Sequence, residues 1–213
     1  MSRRLVLSVV FLLLAVPAAQ AKAPPSGVDV CGAANACVHV GSQDAEQMFQ
    51  VFGGGYCCET PAAPAPFYVL RWQWEANGPE TQVYYLPRAG KIFDPARHGW
   101  IALDTASMRS LNAARGTLEP NAVPTFTAVT VGGRAVRDPA SYVRLFAAGR
   151  KTFAYPKGGW LRVAIEATGA SPWTGATTDV RISRRGAFVW IDNWVLKVPA
   201  ALAKRARAGL SLR

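Results

Sequence analysis

Two histidines, four cysteines and thirteen carboxylates are the residues with which this 213-residue chain can do chemistry. His39 stands beside Cys37 in a β-prone piece, where a structural role is expected. His98 lies in Asp94-Pro95-Ala96-Arg97-His98-Gly99, a loop-like stretch, and is the better candidate acid or base because imidazole titrates near neutrality. No G-x-S-x-G, H-E-x-x-H or P-loop pattern accompanies it. Two histidines cannot supply a three-histidine metal site and no H-x-x-x-H spacing exists, so neither a metal nor a cofactor is expected. Glu75 and Glu80 flank a turn, where carboxylates are ordinarily solvated. The catalytic reading therefore rests on His98, in a small secreted hydrolase. The preferred reading is non-catalytic.

The four cysteines, Cys31, Cys37, Cys57 and Cys58, crowd into a short stretch near the N-terminus. An even count in an exported chain favours disulfides, and four cysteines allow three connectivities. Cys31 with Cys37 closes a small loop at low entropic cost. It leaves Cys57 and Cys58, whose direct bridge would be strained because disulfides want Cα atoms about 5.5 Å apart. The crossed pairings avoid that strain and stand close behind the local one. Adjacent Cys57-Cys58 is poor spacing for a tetrahedral thiolate site, which usually separates its ligands by about two to four residues.

Charge and aromatics suggest binding instead. The chain carries 24 basic and 13 acidic residues. From Arg134 onward there are 15 basic against 4 acidic, net +11, whereas 22–133 is net −2. Arg184, Arg185, Lys204, Arg205 and Arg207 are the candidate contacts to a polyanion, either an anionic cell-surface polymer or an anionic lipid. No helix-turn-helix, RRM or zinc-finger pattern is present, so no specific nucleic-acid recognition is expected. Trp72, Trp74 and Trp173 are candidates for stacking on a ligand. The bland reading is a solvated basic face over an aromatic core.

The elements that must position these residues follow from the pattern. Half the chain is hydrophobic, which excludes a disordered polymer. Residues 67–75 and 81–87 alternate like strands around Asn77-Gly78-Pro79 and form a hairpin. Residues 125–131 and 134–136 form a second hairpin about Gly132-Gly133. Residues 159–167 make a strand, and 179–183, 187–191 and 194–198 a three-strand meander. Short helices are expected from Ser42 or Asp44 to Phe52, behind Asp104 to 114, from Asp138-Pro139 to about Gly149, and from Pro199 to 208. The fold class is α+β, with antiparallel hairpin-rich sheets and three to four short helices.

Residues 1–21 read as a secretory signal peptide. Arg3 and Arg4 precede an uncharged apolar run over 5–16, Pro17 breaks it, and Ala19-Gln20-Ala21 suits cleavage after Ala21, with Ala23 as a second site. The run is shorter than the roughly 20 residues of a membrane-spanning helix, and no later stretch approaches that length, so no transmembrane span is expected after cleavage. A loop-rich, cysteine-containing segment (22–66) then leads into the α+β body (67–213), with a possible internal boundary at 117–124. Arg outnumbers Lys 18 to 6 and Ala is abundant, the codon signature of a GC-rich bacterium. No stretch carries a family signature. The combined expectation is a basic, exported, disulfide-containing binding or accessory protein of the envelope or the extracellular space.

Overall fold

The computed structural model describes residues 25–52, 59–74, 80–97, 99–169, 171–174 and 178–213. The expected signal peptide (1–21), Cys57, Cys58 and His98 lie outside the described residues. Two antiparallel sheets and four helices make an α+β fold rich in β-structure. Among the described residues no helix is long and apolar enough to cross a membrane.

The first sheet contains β1 (Gly27–Cys31), β2 (Cys37–Gly41), β3 (Tyr68–Gln73), β4 (Glu80–Leu86), β5 (Lys91–Asp94) and β6 (Gly99–Ala102), in the order β2-β1-β3-β4-β5-β6. Cys31 and Cys37 face each other in the β1–β2 register and are joined by a disulfide, the local pairing. Helix α1 (Ser42–Phe52) and helix α2 (Thr105–Arg115) cover one face. The Asp104 carboxylate caps α2 by accepting from the Ser107 amide at 2.7 Å, satisfying a backbone donor that the helix itself cannot. Successive residues of a strand point to opposite faces. Tyr68, Leu70 and Trp72 therefore enter the core beneath the two helices, while Phe67 and Val69 enter the other core. Both faces of the central strands are buried, which explains why so many large side chains sit in 67–86.

The second sheet contains β7 (Phe126–Val131), β8 (Arg134–Ala135), β9 (Arg150–Lys151), β10 (Trp160–Ala167), β11 (Val180–Ser183), β12 (Phe188–Ile191) and β13 (Trp194–Lys197), in the order β8-β7-β10-β11-β12-β13-β9. The expected meander is β11-β12-β13. Its inner face is a continuous apolar set: Val129, Val163, Ile165, Val180, Ile182, Val189 and Ile191 are all buried. A 3-10 turn (Pro139–Val143), helix α3 (Arg144–Ala147) and helix α4 (Ala200–Arg207) contribute Tyr142, Leu145, Phe146, Ala203 and Ala206 to the same core. The turn was expected as helix. The segment winds as 3-10 over Pro139–Val143, and only the single turn of α3 that follows is α-helical.

Trp173 joins the two sheets. It sits between β10 and β11, is 0% exposed, and is the largest fully buried side chain among the described residues. Its ring centroid lies 6.0 Å from that of Phe67 and 6.3 Å from that of Trp100, both in the N-terminal half. Phe67–Tyr84, Tyr84–Phe93 and Phe93–Trp100 contacts close a circuit of five rings. The Trp173 Nε1–H donates to the Ala62 carbonyl at 3.0 Å, and Trp100 Nε1–H donates to the Asp192 carboxylate of the β12–β13 turn at 3.4 Å. The 117–124 stretch thus separates the two sheets along the chain, yet the core runs across it.

Trp173→Ala would remove the ring and leave a cavity that fixed strands cannot fill. The expected cost is about 3–5 kcal/mol of unfolding free energy, read as a lower urea midpoint. A loss under about 1 kcal/mol would mean that the two sheets hold together without it.

Candidate functional site

One end of the second sheet forms a cleft of about 380 Å³. Four arginines line it, Arg134, Arg162, Arg184 and Arg207, together with Trp160. Each arrives by a different local rule. Arg134 follows the Gly132-Gly133 turn, whose φ angles of +57° and +81° suit glycine and return the chain beside β7. The Gly132 amide donates to the Arg162 carbonyl at 2.8 Å, which ties that turn to β10. Arg162 is on the outer face of β10, alternating with the buried Val163. Arg184 opens the β11–β12 turn and its amide donates to the Gly159 carbonyl at 2.9 Å. Arg207 ends α4, and its Nη1 donates to the Ser183 and Gly186 carbonyls at 3.2 and 2.6 Å.

The electrostatics of the cleft are one-sided. Among the described residues no carboxylate lines it. Arg162 faces Arg181 directly in the β10–β11 register, a like-charge pairing that sheets ordinarily avoid. Arg181 is partly neutralised by Asp179 at 2.6 Å, and this carboxylate holds the Arg181 guanidinium even more firmly charged than usual. Among the described residues, no acidic side chain pairs with Arg134, Arg162 or Arg184.

Two buried side-chain polar atoms have no hydrogen-bond partner among the described residues, Ser183 Oγ and Trp190 Nε1. Ser183 pairs with Trp160 of the cleft, and Trp190 pairs with Arg181 one strand further on. An unpaired buried polar group costs about 1–3 kcal/mol, and such groups gather where a site is held for something other than stability.

The sequence-derived candidates divide. Arg184 and Arg207 reach the cleft, and the Arg185 side chain packs beside Gly158 at its margin. Lys204 and Arg205 are exposed on α4 and do not line it; Arg205 Nε donates to the Ser211 carbonyl instead. Arg134 and Arg162 were not anticipated, and each is a lone basic residue in a strand with no cluster to mark it. Trp72 and Trp173 are core side chains, 3% and 0% exposed, so neither has a face free to stack on a ligand. This corrects their assignment: a tryptophan in a loop can still be the plug of a core. Trp74 is half-buried and donates to Thr81 Oγ1 across the hairpin at 2.9 Å.

His39 lies elsewhere, on β2. Its Nδ1 donates to the Asp29 carboxylate at 2.7 Å, which fixes the ring and directs Nε2 away. Among the described residues no hydroxyl or thiol is hydrogen-bonded to Nε2. No group of three or more His, Cys, Asp or Glu side chains suited to a metal ion occurs among the described residues. No family model, no curated protein and no solved structure matches this chain.

Arg207 is positioned through α4, and α4 is pinned by Tyr142. The Tyr142 hydroxyl donates to the Ala206 carbonyl at 3.1 Å, and burial pushes its pKa from 10.0 up to about 12. The folded state therefore favours the neutral phenol. Its stabilising effect is complete below pH 10 and is lost as pH rises toward about 12. Tyr142→Phe is expected to cost about 1 kcal/mol at neutral pH and to flatten the fall in stability between pH 10 and about 12, measured by denaturant titration across that range. An unchanged alkaline limb would show that another group controls it.

Proposed function

We propose that the protein is an exported, non-catalytic binding or accessory protein of the envelope or extracellular space, and that it holds an anionic ligand in the four-arginine cleft. One observation carries this reading: Arg134, Arg162, Arg184 and Arg207 come from four separate places in the chain and converge on one cleft that, among the described residues, no carboxylate lines. Folding alone would not favour such an arrangement. Four like charges repel one another, and a structural arginine cluster ordinarily recruits acidic partners. A bound anion supplies the missing counter-charge, and guanidinium forks match the paired oxygens of phosphate, sulfate and carboxylate groups.

Export is supported by the three-part N-terminal leader. The Cys31–Cys37 disulfide is consistent with it, because such bonds persist in oxidising compartments. The ligand is then an anionic polymer outside the cytoplasm or an anionic lipid head group. A polymer chain can contact several guanidinium groups at once.

The purified protein should bind heparin and anionic vesicles at low salt and release them as salt rises. Comparing the two matrices separates a polymer ligand from a lipid surface. Arg162→Ser should make the plot of log affinity against log salt shallower by roughly 0.7–0.9, the value of one contact to a polymer with nucleic-acid-like charge density. Lys204→Ser, outside the cleft, should change it far less. Passage through both matrices at low salt would refute the reading, as would equal effects from the two variants.

A further inference from the structure

Rings as well as cations occupy the outer face beside the cleft. Residues 152–159 leave β9 at one edge of the second sheet and cross its outer face to reach β10. This strap lays Tyr155 against Trp190, with centroids 6.1 Å apart. Trp190 meets Trp160, which lines the cleft, at 5.9 Å. An aromatic row therefore leads directly out of the arginine cleft. Arg181 lies 5.9 Å from the centroid of Trp190, and Lys151 Nζ lies 3.7 Å from Trp194 and 5.3 Å from Phe153.

Two members of this face are barely covered. Phe153 is 86% exposed and Tyr155 67%, the most exposed large apolar side chains among the described residues. They sit on one short segment, and Tyr155 connects through Trp190 and Trp160 to the arginine cleft. An exposed phenylalanine offers only a π-face; it has no polar edge with which to hold a sugar hydroxyl. Among the described residues, no Asp, Glu, Asn or Gln lines the cleft to accept from hydroxyl groups. Asp179 is committed to Arg181, and Glu166 stands toward the far end of β10 from Trp160. Recognition of a neutral saccharide commonly uses such acceptors, whereas base stacking needs none. Cationic grooves that continue into aromatic platforms suit flexible strands carrying phosphates and flat rings.

We propose that this face binds single-stranded polynucleotide without sequence preference, with phosphates on Arg134, Arg162 and Arg184 and bases stacked on Tyr155 and Phe153. The proposal rests on the cleft being an anion site and adds the rings to it. No groove-reading helix is required, because every base presents a stacking face.

The test compares a short oligothymidylate with an abasic deoxyribose-phosphate oligomer of the same length and charge, both labelled, by fluorescence anisotropy at low salt. The oligothymidylate should bind at least about 5-fold tighter, since each stacked base contributes a factor of about 5 to 150. Tyr155→Ala and Phe153→Ala should each lower oligothymidylate affinity within that range and leave abasic binding unchanged. Both side chains are exposed, and unchanged thermal melting would establish that the variants are folded. Equal affinity for the two oligomers, or equal losses on both in the variants, would overturn the proposal. If heparin still binds in a salt-dependent way, the anion cleft survives that result. Failure of every polyanion to bind would overturn both.

Discussion

The insertion of Trp173 into the junction between the sheets is the contact on which the rest of the molecule depends. Tyr68, Trp72 and Tyr85 are buried within the first half alone, but the aromatics on the other face of that sheet are not. Phe67, Tyr84, Phe93 and Trp100 need a cover, and Trp173 completes their circuit. Two indole hydrogen bonds, to Ala62 and to Asp192, set the angle of approach. Asp192 holds a φ of +53°, and its carboxylate also accepts from the Asp179 amide at 3.0 Å. The β12–β13 turn is thereby fixed to both β11 and the first sheet. Once the inner face of the second sheet is committed in this way, strand alternation leaves its other face to solvent. Arg162, Arg181, Trp160 and Trp190 have no other side to occupy.

That outward face is electrostatically uneasy. Arg162 and Arg181 stand opposite each other, and one carboxylate, Asp179, serves the pair. The arrangement survives because both side chains are exposed, and the high dielectric of water weakens their repulsion. Cohesion comes from elsewhere. The buried aliphatic face of the sheet supplies it, as do the C-terminal anchors, where Arg144 donates to the Leu212 carbonyl and Ser211 to Asp138. The Ser211 hydroxyl, followed by Arg213, holds the Asp138 carboxyl below its ordinary range, so this anchor is strongest when the carboxylate is charged.

Period-two alternation made the hairpins of 67–87 and 125–136 and the β11-β12-β13 meander legible, since each pairs strands that are neighbours in sequence. The Asp104 cap was equally visible, because a capping carboxylate acts within its own helical turn. Long-range order was not. Nothing local says that β10 lies beside β7, or that the Arg150-Lys151 pair forms an edge strand against β13. The cleft is a product of that order. Arg134 and Arg162 become neighbours only after β7 and β10 pair, which hides half of the site from a reading of charge clusters. The tryptophans misled for the opposite reason. Trp173 sits among Ser171, Pro172 and Thr174, a setting that reads as surface, and only its tertiary partners disclose that it is interior.

The second sheet ends on both sides in strands of two residues, β8 and β9, and each carries cationic side chains: Arg134 on one, Arg150 and Lys151 on the other. A bare strand margin would offer its unused amides and carbonyls to another molecule and invite stacking into fibres. Here each margin is too short to template such growth and bears charges that repel an identical neighbour. The excess of arginine that marks this half of the chain thus also helps to keep copies of the molecule apart.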